Sequence, residues 1–484
     1  MPRATPAPLQ LLFPPFSLPL KYKPHPISNL TSVPVRSSIL CSPAVCRNSS
    51  TDSPHITTPL PPPSSIYIHL PFCRRRCHYC DFPIIALGSS SRHYDDDPRI
   101  NNYIRLLLRE IRATKPYSSL QLPIKTIFFG GGTPSLVPPR LIASLLDTIR
   151  TKFGEVAADV EVSMEMDPGT FDAGRLEEMV GVVGVTRISL GVQAFQDELL
   201  RECGRAHGRR EVDEAIELVS SSHGPRSWSL DLISSLPRQT EEMWEESLRL
   251  AVSAGPQHVS VYDLQVEEGT KFALLYTPGE FPLPAEAQSA NFYVMASETL
   301  KLAGYEHYEI SSYCKPGHEC RHNITYWQNE PFYGFGLGSA SYINGVRFSR
   351  PRRLKQYEEF VKDLEAGNMS AKSNASIVED KEMAMDVVML SLRTAKGLDL
   401  KSFQRSFGES VVLSLCRAWR PHVESGHVVA LDEERKAISI GKFDLELNGD
   451  CQLGRRVAFL RLSDPEGFLM SNELIAVAFG VLSP

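Results

Sequence analysis

Short β-rich runs alternate with helical patterns after residue 65, and this alternation restricts the fold more than any other feature. Six runs are rich in Val, Ile, Phe and Tyr. They are IYIHLPF from residue 66, TIFFGGG from 126, EVSMEMD from 161, RISLGVQ from 187, SWSLDLI from 227 and HVSVYDL from 258. Strands that alternate with helices form a parallel sheet with right-handed crossovers. The sequence therefore predicts a barrel-like α/β domain, with the barrel open or closed, built from six strand–helix units over about residues 64–300.

The segments between the runs have helical period. One apolar face is formed by Ile100, Tyr103, Ile104, Leu107, Leu108 and Ile111. Thr240 is a good N-cap for a helix that ends near Gly255, and the pair Pro138–Pro139 suits the first turn of another helix.

Polar residues follow each of the six runs. They are the cysteines at 73, 77 and 80, then GGGT at 130–133, Glu165 with Asp167, Gln193, Asp231 and Tyr262. In a parallel barrel the loops after the strands meet at one rim. We therefore expect these residues to form one functional site.

The remaining chain is predicted to hold an irregular extension at 301–350 and a helical domain at 351–484 that carries a small β-wing near Leu460 to Phe468. The segment 434–456 has too weak a pattern for any prediction.

Composition limits the class of protein. A net charge of −6 over 484 residues argues against bulk electrostatic binding of nucleic acid, and no charge-free apolar run reaches the roughly 18 residues of a membrane span. No Asp or Glu precedes Asp52, whereas basic, hydroxylated and proline residues are frequent there. This composition is typical of an organellar transit peptide over residues 1–63, and its prolines favour a plastid over a mitochondrion. A disordered tail is the alternative.

Three thiols in a C-x3-C-x2-C array, Cys73, Cys77 and Cys80, are the strongest chemical signal. Ten cysteines in so long a chain are too few for a disulfide scaffold, so the cluster of three indicates a metal site in a reducing compartment. A [4Fe–4S] cluster held by three cysteines leaves one iron open for the amino and carboxylate groups of S-adenosylmethionine (SAM). The alternative is a zinc site with His69 or His78 as the fourth ligand, although this spacing is unusual for zinc.

Glycines 130–132 follow a strand and precede a helix in the segment GGGTPS. Glycine allows close approach to a ligand, and amides at a helix start bind carboxylates. This segment is therefore a second candidate for contact with the nucleotide.

The motifs CRRRCHYC, GGGTPS, EMDP, LGVQ, DLISSLP and HNITYW together resemble the radical SAM superfamily, in the group around oxygen-independent coproporphyrinogen III oxidase. The resemblance covers about residues 64–480. It implies a partial (β/α)6 TIM-like barrel with a helical C-terminal domain, and a [4Fe–4S] cluster on Cys73, Cys77 and Cys80. It also implies a SAM site made by Tyr67, Tyr79, Gly131, Gly132, Thr133, Glu165, Gln193, Arg205 and Asp231. Taken alone, these residues have simpler interpretations: Tyr67 suits the core, Glu165 and Asp231 suit helix caps, and Arg205 suits a solvated helix end.

Two features of the sequence separate the branches of this group. The decarboxylating oxidases usually have a further cysteine two residues after the third ligand, where this chain has Phe82. The segment HNITYW matches the H-N-x-x-Y-W motif of the heme-chaperone branch, which implies heme binding by His322, Tyr326 and Trp327, with Arg321 near a propionate. The leading prediction is a heme chaperone that passes heme to acceptor hemoproteins. The alternatives are an oxygen-independent coproporphyrinogen III oxidase and a zinc-bound interaction module.

The residues of the HNITYW motif also have simpler interpretations. His322 suits a hydrogen-bonded structural role, and Tyr326 and Trp327 suit the core. A metal site formed with Cys314, His318 and Cys320 is a further alternative, although its spacing is unusual for zinc.

Overall fold

The computed structural model describes residues 61–88, 94–117, 122–368, 380–448 and 456–482. The predicted transit peptide therefore lies almost wholly outside the described residues. The strands in chain order are β1 (Ser65–Leu70), β2 (Phe72–Cys73), β3 (Ile85–Ala86), β4 (Ile124–Gly131), β5 (Val156–Met166), β6 (Arg187–Gln193), β7 (Ser227–Ser234), β8 (His258–Asp263), β9 (Glu306–Glu309), β10 (Ser312–Cys314), β11 (Phe332–Phe335), β12 (Ala340–Ile343), β13 (Val346–Ser349), β14 (Leu398–Asp399), β15 (Val428–Leu431) and β16 (Phe459–Leu462).

The helices surround the strands and build the C-terminal region. They are α1 (Pro98–Ala113), α2 (Pro139–Phe153), α3 (Ala173–Glu178), α4 (Asp197–Glu202), α5 (Arg209–Ser221), α6 (Glu241–Ala254), α7 (Lys271–Leu275), α8 (Glu286–Leu302), α9 (Arg321–Trp327), α10 (Leu354–Glu365), α11 (Asp380–Leu392), α12 (Leu400–Phe407), α13 (Glu409–Glu424), α14 (Ile440–Asn448), α15 (Glu466–Leu469) and α16 (Ser471–Leu482).

One large, mainly parallel sheet organises the first part of the molecule. The six predicted strands are neighbours in chain order, β1-β4-β5-β6-β7-β8, and every pair among them is parallel. The predicted α/β fold with a partial TIM-like barrel is confirmed. Residues 301–350 extend this sheet at both edges, because β10 and β9 follow β8 antiparallel and β11 pairs parallel to β1 before the β12–β13 hairpin.

The helix signals in the sequence act as expected. In α1 the predicted face is buried at Ile100, Tyr103, Ile104, Leu107 and Ile111. The Thr240 side chain accepts a hydrogen bond from the Met243 amide at 3.3 Å, and α6 ends where Gly255 adopts a φ of 70°.

The C-terminal region has a hydrophobic core of its own, built on α11, α13 and α16, with Trp419 as its largest fully buried side chain. Its three-stranded antiparallel sheet has the order β14-β16-β15. The predicted wing therefore includes residues 459–462, but Phe468 lies in α15 instead, because the chain turns after Leu462 and the Phe468 ring fills the core. The unassigned segment contains α14, and residues 449–455 are not described.

Within the described residues, no helix combines the length and the apolar character that crossing a membrane requires.

Candidate functional site

A cavity of about 330 Å³ opens at the carboxyl ends of the parallel strands. It contains most of the residues predicted for the site. Those in its wall are Cys73, Cys77, Tyr79, Cys80, Gly131, Gly132, Thr133, Glu165, Gln193, Arg205 and Asp231. Phe82, which stands where the oxidases usually have a further cysteine, also lines the cavity.

The cysteine loop is fixed at its base and at its tip. At the base, β2 and β3 pair in parallel, with hydrogen bonds from Ile85 N to Pro71 O at 2.6 Å and from Leu87 N to Cys73 O at 2.8 Å. At the tip, His78 N donates to Cys203 O at 2.9 Å. The three thiols are therefore held in one loop beside the end of α4.

The donor set fits an iron–sulfur cluster. Thr133 Oγ1 donates to Cys73 Sγ at 3.7 Å, and Arg205 Nη1 donates to Cys77 Sγ at 3.4 Å. Burial raises the pKa of Cys80 to about 11, with a further increase from Cys77. Assembly of a cluster must remove such protons, because thiolate is the ligand form, and donors aimed at sulfur favour that form.

A single-ion zinc site does not match the geometry. His69 contacts Pro83 O at 3.1 Å through Nε2 and Tyr67 OH at 3.3 Å through Nδ1. His78 contacts Glu202 O at 2.7 Å and Lys271 Nζ at 3.0 Å. In the part of the chain that the structure describes, no three His, Cys, Asp or Glu side chains converge on one ion. This holds for the group of Cys314, His318, Cys320 and His322 as well.

The glycine segment shapes the cavity wall rather than supplying donors. A Cβ on Gly132 would lie 2.6 Å from the backbone oxygen of Phe72, so only glycine permits this approach to the start of the cysteine loop. The Gly131 amide donates to Glu165 Oε2 at 2.9 Å. The amide of Gly132 donates to Leu70 O at 2.9 Å, and that of Thr133 donates to Phe72 O at 2.6 Å. With their hydrogens engaged, these amides do not provide the predicted carboxylate-binding donors.

Asp167 and Arg205 form the charged centre of the wall. Arg205 Nη2 donates to Asp167 and to Gly191 O at 3.0 Å, and its Nη1 reaches Tyr79 OH at 3.0 Å. Burial alone would raise the pKa of Asp167, but Arg205 and the nearby His207 hold it well below its usual range. The pair therefore stays ionised, and it links the loops after β5 and β6 to the cysteine loop.

Two further carboxyl groups have raised pKa values. Burial raises the pKa of Glu165 to about 7, and Asp231 adds to the increase while the Gly131 amide opposes it. Burial also raises the pKa of Asp231, against hydrogen bonds that include one from Ser189 Oγ at 2.9 Å. The ionised form of both carboxyl groups is therefore unfavourable unless a cation enters the cavity.

Gln193 reaches the wall through a distortion of its strand. The pairing of β6 with β7 shifts register between Leu190 and Gln193, and Gln193 adopts a φ of 68°. A non-glycine residue rarely takes this backbone conformation, and such positions cluster at functional sites.

Sequence reasoning missed several residues of the site. Arg74 donates to Pro168 O at 2.9 Å and lies 3.7 Å from Asp167, and His207 Nδ1 lies 3.4 Å from the same carboxylate. Ser189 and Gly191 also line the cavity. Period-two alternation along β6 could have indicated Ser189 and Gly191, whereas no local signal identifies His207.

The predicted heme residues lie at the opposite end of the barrel. Helix α9 packs at the amino-terminal ends of β4 and β5, where Ser65 Oγ contacts Thr325 Oγ1 at 3.0 Å. His322 is 1% exposed; its Nδ1 contacts Thr126 Oγ1 and its Nε2 contacts Tyr326 OH, both at 2.7 Å. The structure therefore does not bring the HNITYW motif to the cavity.

Three other predicted residues lie away from the cavity wall. Tyr67 is buried in the barrel between the two ends, with its ring 6.1 Å from Phe128 and 6.4 Å from His322. Tyr326 packs on Phe332, and Trp327 belongs to the core of the C-terminal region.

Comparison with known proteins agrees with this geometry. A mainly parallel sheet with three cysteines after its first strand defines a radical SAM fold, and residues 67–251 match the family described as the Radical SAM superfamily. Among solved structures, the coproporphyrinogen III oxidase HemN of Escherichia coli, a radical SAM enzyme, gives a TM-score of 0.67 at 21% identity. That match covers 86% of this chain and 90% of the other, and at this identity it shows the fold alone.

Curated relatives identify the family within that superfamily. The heme chaperone HemW of Synechocystis sp. is 38% identical over 87% of this chain and 97% of its own length. The heme chaperone HemW of Bacillus subtilis is 34% identical over 72% of this chain and 88% of its own length. The chain therefore belongs to the HemW family of radical SAM proteins.

Proposed function

We propose that this protein is a heme chaperone that holds a [4Fe–4S] cluster and SAM and delivers heme to acceptor hemoproteins. The observation that carries this proposal is the likeness to the Synechocystis heme chaperone over nearly its whole length. The position of Phe82 in the cavity wall supports it, because phenylalanine cannot supply the additional thiol usual in the oxidases.

The residues at the carboxyl ends of the strands would hold the cluster and the nucleotide. Cys73, Cys77 and Cys80 would bind three irons, and the open iron would chelate the amino and carboxylate groups of SAM. Glu165 and Asp231 would complement the positive charge of the nucleotide. Arg205 would hold Asp167 and the Tyr79 hydroxyl in place and donate to Cys77 sulfur.

Heme ligation by His322 requires movement of α9. Its Nε2 already contacts the Tyr326 hydroxyl, and the ring packs 5.2 Å from Phe128 inside the barrel. Thr126, beside His322, and Gly131, in the cavity, are five positions apart in β4, which is on the order of 16 Å of strand. Heme and nucleotide would therefore occupy opposite ends of the barrel.

Titration of anaerobically reconstituted protein with heme tests this proposal. We expect one heme per chain with a defined Soret band, and loss of that band in His322→Ala. His318→Ala is the matched control, since it removes a histidine from the same segment. Absence of saturable heme binding in the unaltered protein would reject the chaperone function.

The second candidate is oxidative decarboxylation of coproporphyrinogen III, favoured by the fold shared with HemN. The same preparation, given coproporphyrinogen III, SAM and a reductant, separates the two functions. Formation of protoporphyrinogen would support the oxidase, and a chaperone should leave this substrate unchanged.

We propose in addition an organellar location, with a plastid favoured over a mitochondrion. The support is the acid-poor, proline-rich composition before Asp52. Fluorescence from residues 1–63 fused to a reporter in plant cells would test it, and a cytosolic signal would reject it.

A further inference from the structure

A continuous row of hydrogen bonds runs through the barrel from the cavity to α9. Ser229 Oγ donates to Asp231 Oδ1 at 3.2 Å and contacts His258 Nδ1 at 2.9 Å. His258 Nε2 contacts Tyr308 OH at 2.9 Å, and the amide of Cys320 donates to Tyr308 OH at 3.3 Å. The row therefore begins at a predicted nucleotide-binding carboxylate and ends one residue before α9.

Glu161 completes the attachment of α9. Its carboxylate accepts from the amides of Arg321 at 3.0 Å and His322 at 3.1 Å, and Cys320 Sγ lies 3.8 Å from Oε1. The amides at the start of α9 are thus held by two acceptors, Glu161 and the Tyr308 hydroxyl. Of these two, only Tyr308 is linked to the cavity by this row.

The direction of the hydrogen bonds depends on the Asp231 carboxyl. Burial lowers the pKa of His258 well below its usual range, so the ring is neutral, donating from one nitrogen and accepting at the other. When Asp231 is ionised, Ser229 donates to it and accepts from Nδ1–H, so Nε2 accepts from Tyr308. The Tyr308 oxygen then becomes a better acceptor for the Cys320 amide, because donation polarises the hydroxyl.

When Asp231 is neutral, it no longer requires the Ser229 proton, and the reverse order becomes accessible. Ser229 then donates to Nδ1, Nε2–H donates to Tyr308, and the Cys320 amide shares that oxygen with a second donor. The groups that act electrostatically on Asp231 in β7 include Arg187 in the adjacent β6, Tyr262 in the adjacent β8 and Glu165 in β5. A cationic ligand in the cavity would favour the ionised carboxylate and therefore one ordered row.

We propose that His258 and Tyr308 are positioning residues that couple occupancy of the nucleotide site to the attachment of α9, so that SAM in the cavity tightens the Cys320 end of that helix. The coupling uses the nucleotide site of the proposed function and does not require heme. It assigns a role to two buried residues outside the cavity wall and outside the HNITYW motif.

Hydrogen exchange measured with and without SAM on the anaerobically reconstituted protein tests this coupling. The readout is a peptide that spans residues 318–324. Saturating SAM should slow its exchange by about fivefold or more, the lower range of typical coupling between sites. Tyr308→Phe removes the acceptor of the Cys320 amide, and Ser229→Ala breaks the row at its other end. Both variants should lose the SAM-dependent slowing.

The matched control is Tyr305→Phe. This variant removes a buried hydroxyl that donates to Pro256 O at 2.6 Å. Tyr305 is close in sequence to Tyr308 but is not part of the row of hydrogen bonds, so this variant should keep the full effect of SAM. SAM binding is monitored in every sample by the change in the cluster spectrum. An effect of SAM that persists in both row variants, or is absent from the unaltered protein with bound SAM, would overturn the coupling. An unchanged cluster spectrum in the unaltered protein would instead reject the nucleotide site itself.

Discussion

The two ends of the barrel use polar residues in opposite ways. At the carboxyl ends of the strands, charged and thiol groups line an open cavity, and the Glu165 carboxyl there has its pKa raised to about 7. At the amino-terminal ends, α9 closes the barrel, and both ring nitrogens of His322 have hydrogen-bond partners.

This difference separates residues ready to receive a ligand from residues that must first move. Groups in the cavity gain partners when a ligand binds, whereas His322 must exchange one partner for another. Each prediction below perturbs one of these two ends.

The largest expected effect is loss of the cluster. Cys77→Ala should reduce the iron content from about four atoms per chain to nearly none, because the spacing leaves no substitute thiolate in the loop. Cys203→Ala is the control, since Cys203 is buried beside α4 and outside the cavity wall. Iron and acid-labile sulfide analysis measures the result. Iron retained in the Cys77 variant, or lost equally in the Cys203 variant, would contradict the assignment.

At the closed end, His322→Ala should lower the free energy of unfolding by about 3 kcal/mol, since it removes the hydrogen bonds of the ring to the Thr126 and Tyr326 hydroxyls and opens a gap beside Phe128. The iron content should stay near that of the unaltered protein. Denaturant unfolding measures the first effect, with His318→Ala as the control. A loss of stability below about 1 kcal/mol would show that α9 is not held as described.

At the open end, Gly132→Ala should lower the free energy of unfolding by about 1–3 kcal/mol. The new Cβ would lie 2.6 Å from Phe72 O and would push the cysteine loop aside. Gly174→Ala is the comparison, since its nearest contact would be an ordinary 3.7 Å from Asp172 Oδ1. Thermal unfolding together with cluster content measures both variants. Equal behaviour of the two would argue against close packing of the glycine segment on the loop.

The smallest expected effect concerns pH. The folded-state pKa of Glu165 lies above the unfolded value of 4.5, so the folded protein without ligands binds more protons between about pH 4.5 and 7. The free energy of unfolding should therefore fall as pH rises through that window. We expect Glu165 to contribute on the order of 1 kcal/mol to this fall, because solvent in the cavity screens part of the pKa shift. Glu165→Gln should flatten the pH dependence of stability. An unchanged slope would show that Glu165 ionises normally.

Residues with local signals were predictable from the sequence. The six strands, the caps at Thr240 and Gly255, and the cysteine loop follow from periodicity, capping chemistry and spacing, each of which acts over a few residues. Because the carboxyl ends of parallel strands share one rim, their order also predicted that Glu165, Gln193 and Asp231 would meet.

Features that depend on distant segments were not predictable. The engagement of the glycine amides by Leu70 and Phe72 requires the register of β1 with β4, which a strand pattern does not specify. The burial of His322 depends on where α9 packs among strands some two hundred residues earlier in the chain. The motif identified the residue and not its surroundings.

The most direct test of the central claim is electron paramagnetic resonance of the reduced, anaerobically reconstituted protein with and without SAM. An open iron on a cluster held by Cys73, Cys77 and Cys80 predicts a [4Fe–4S]⁺ signal whose g values shift when SAM is added. A preparation without acid-labile sulfide, or a cluster signal that SAM leaves unchanged, would contradict the assignment of the cavity.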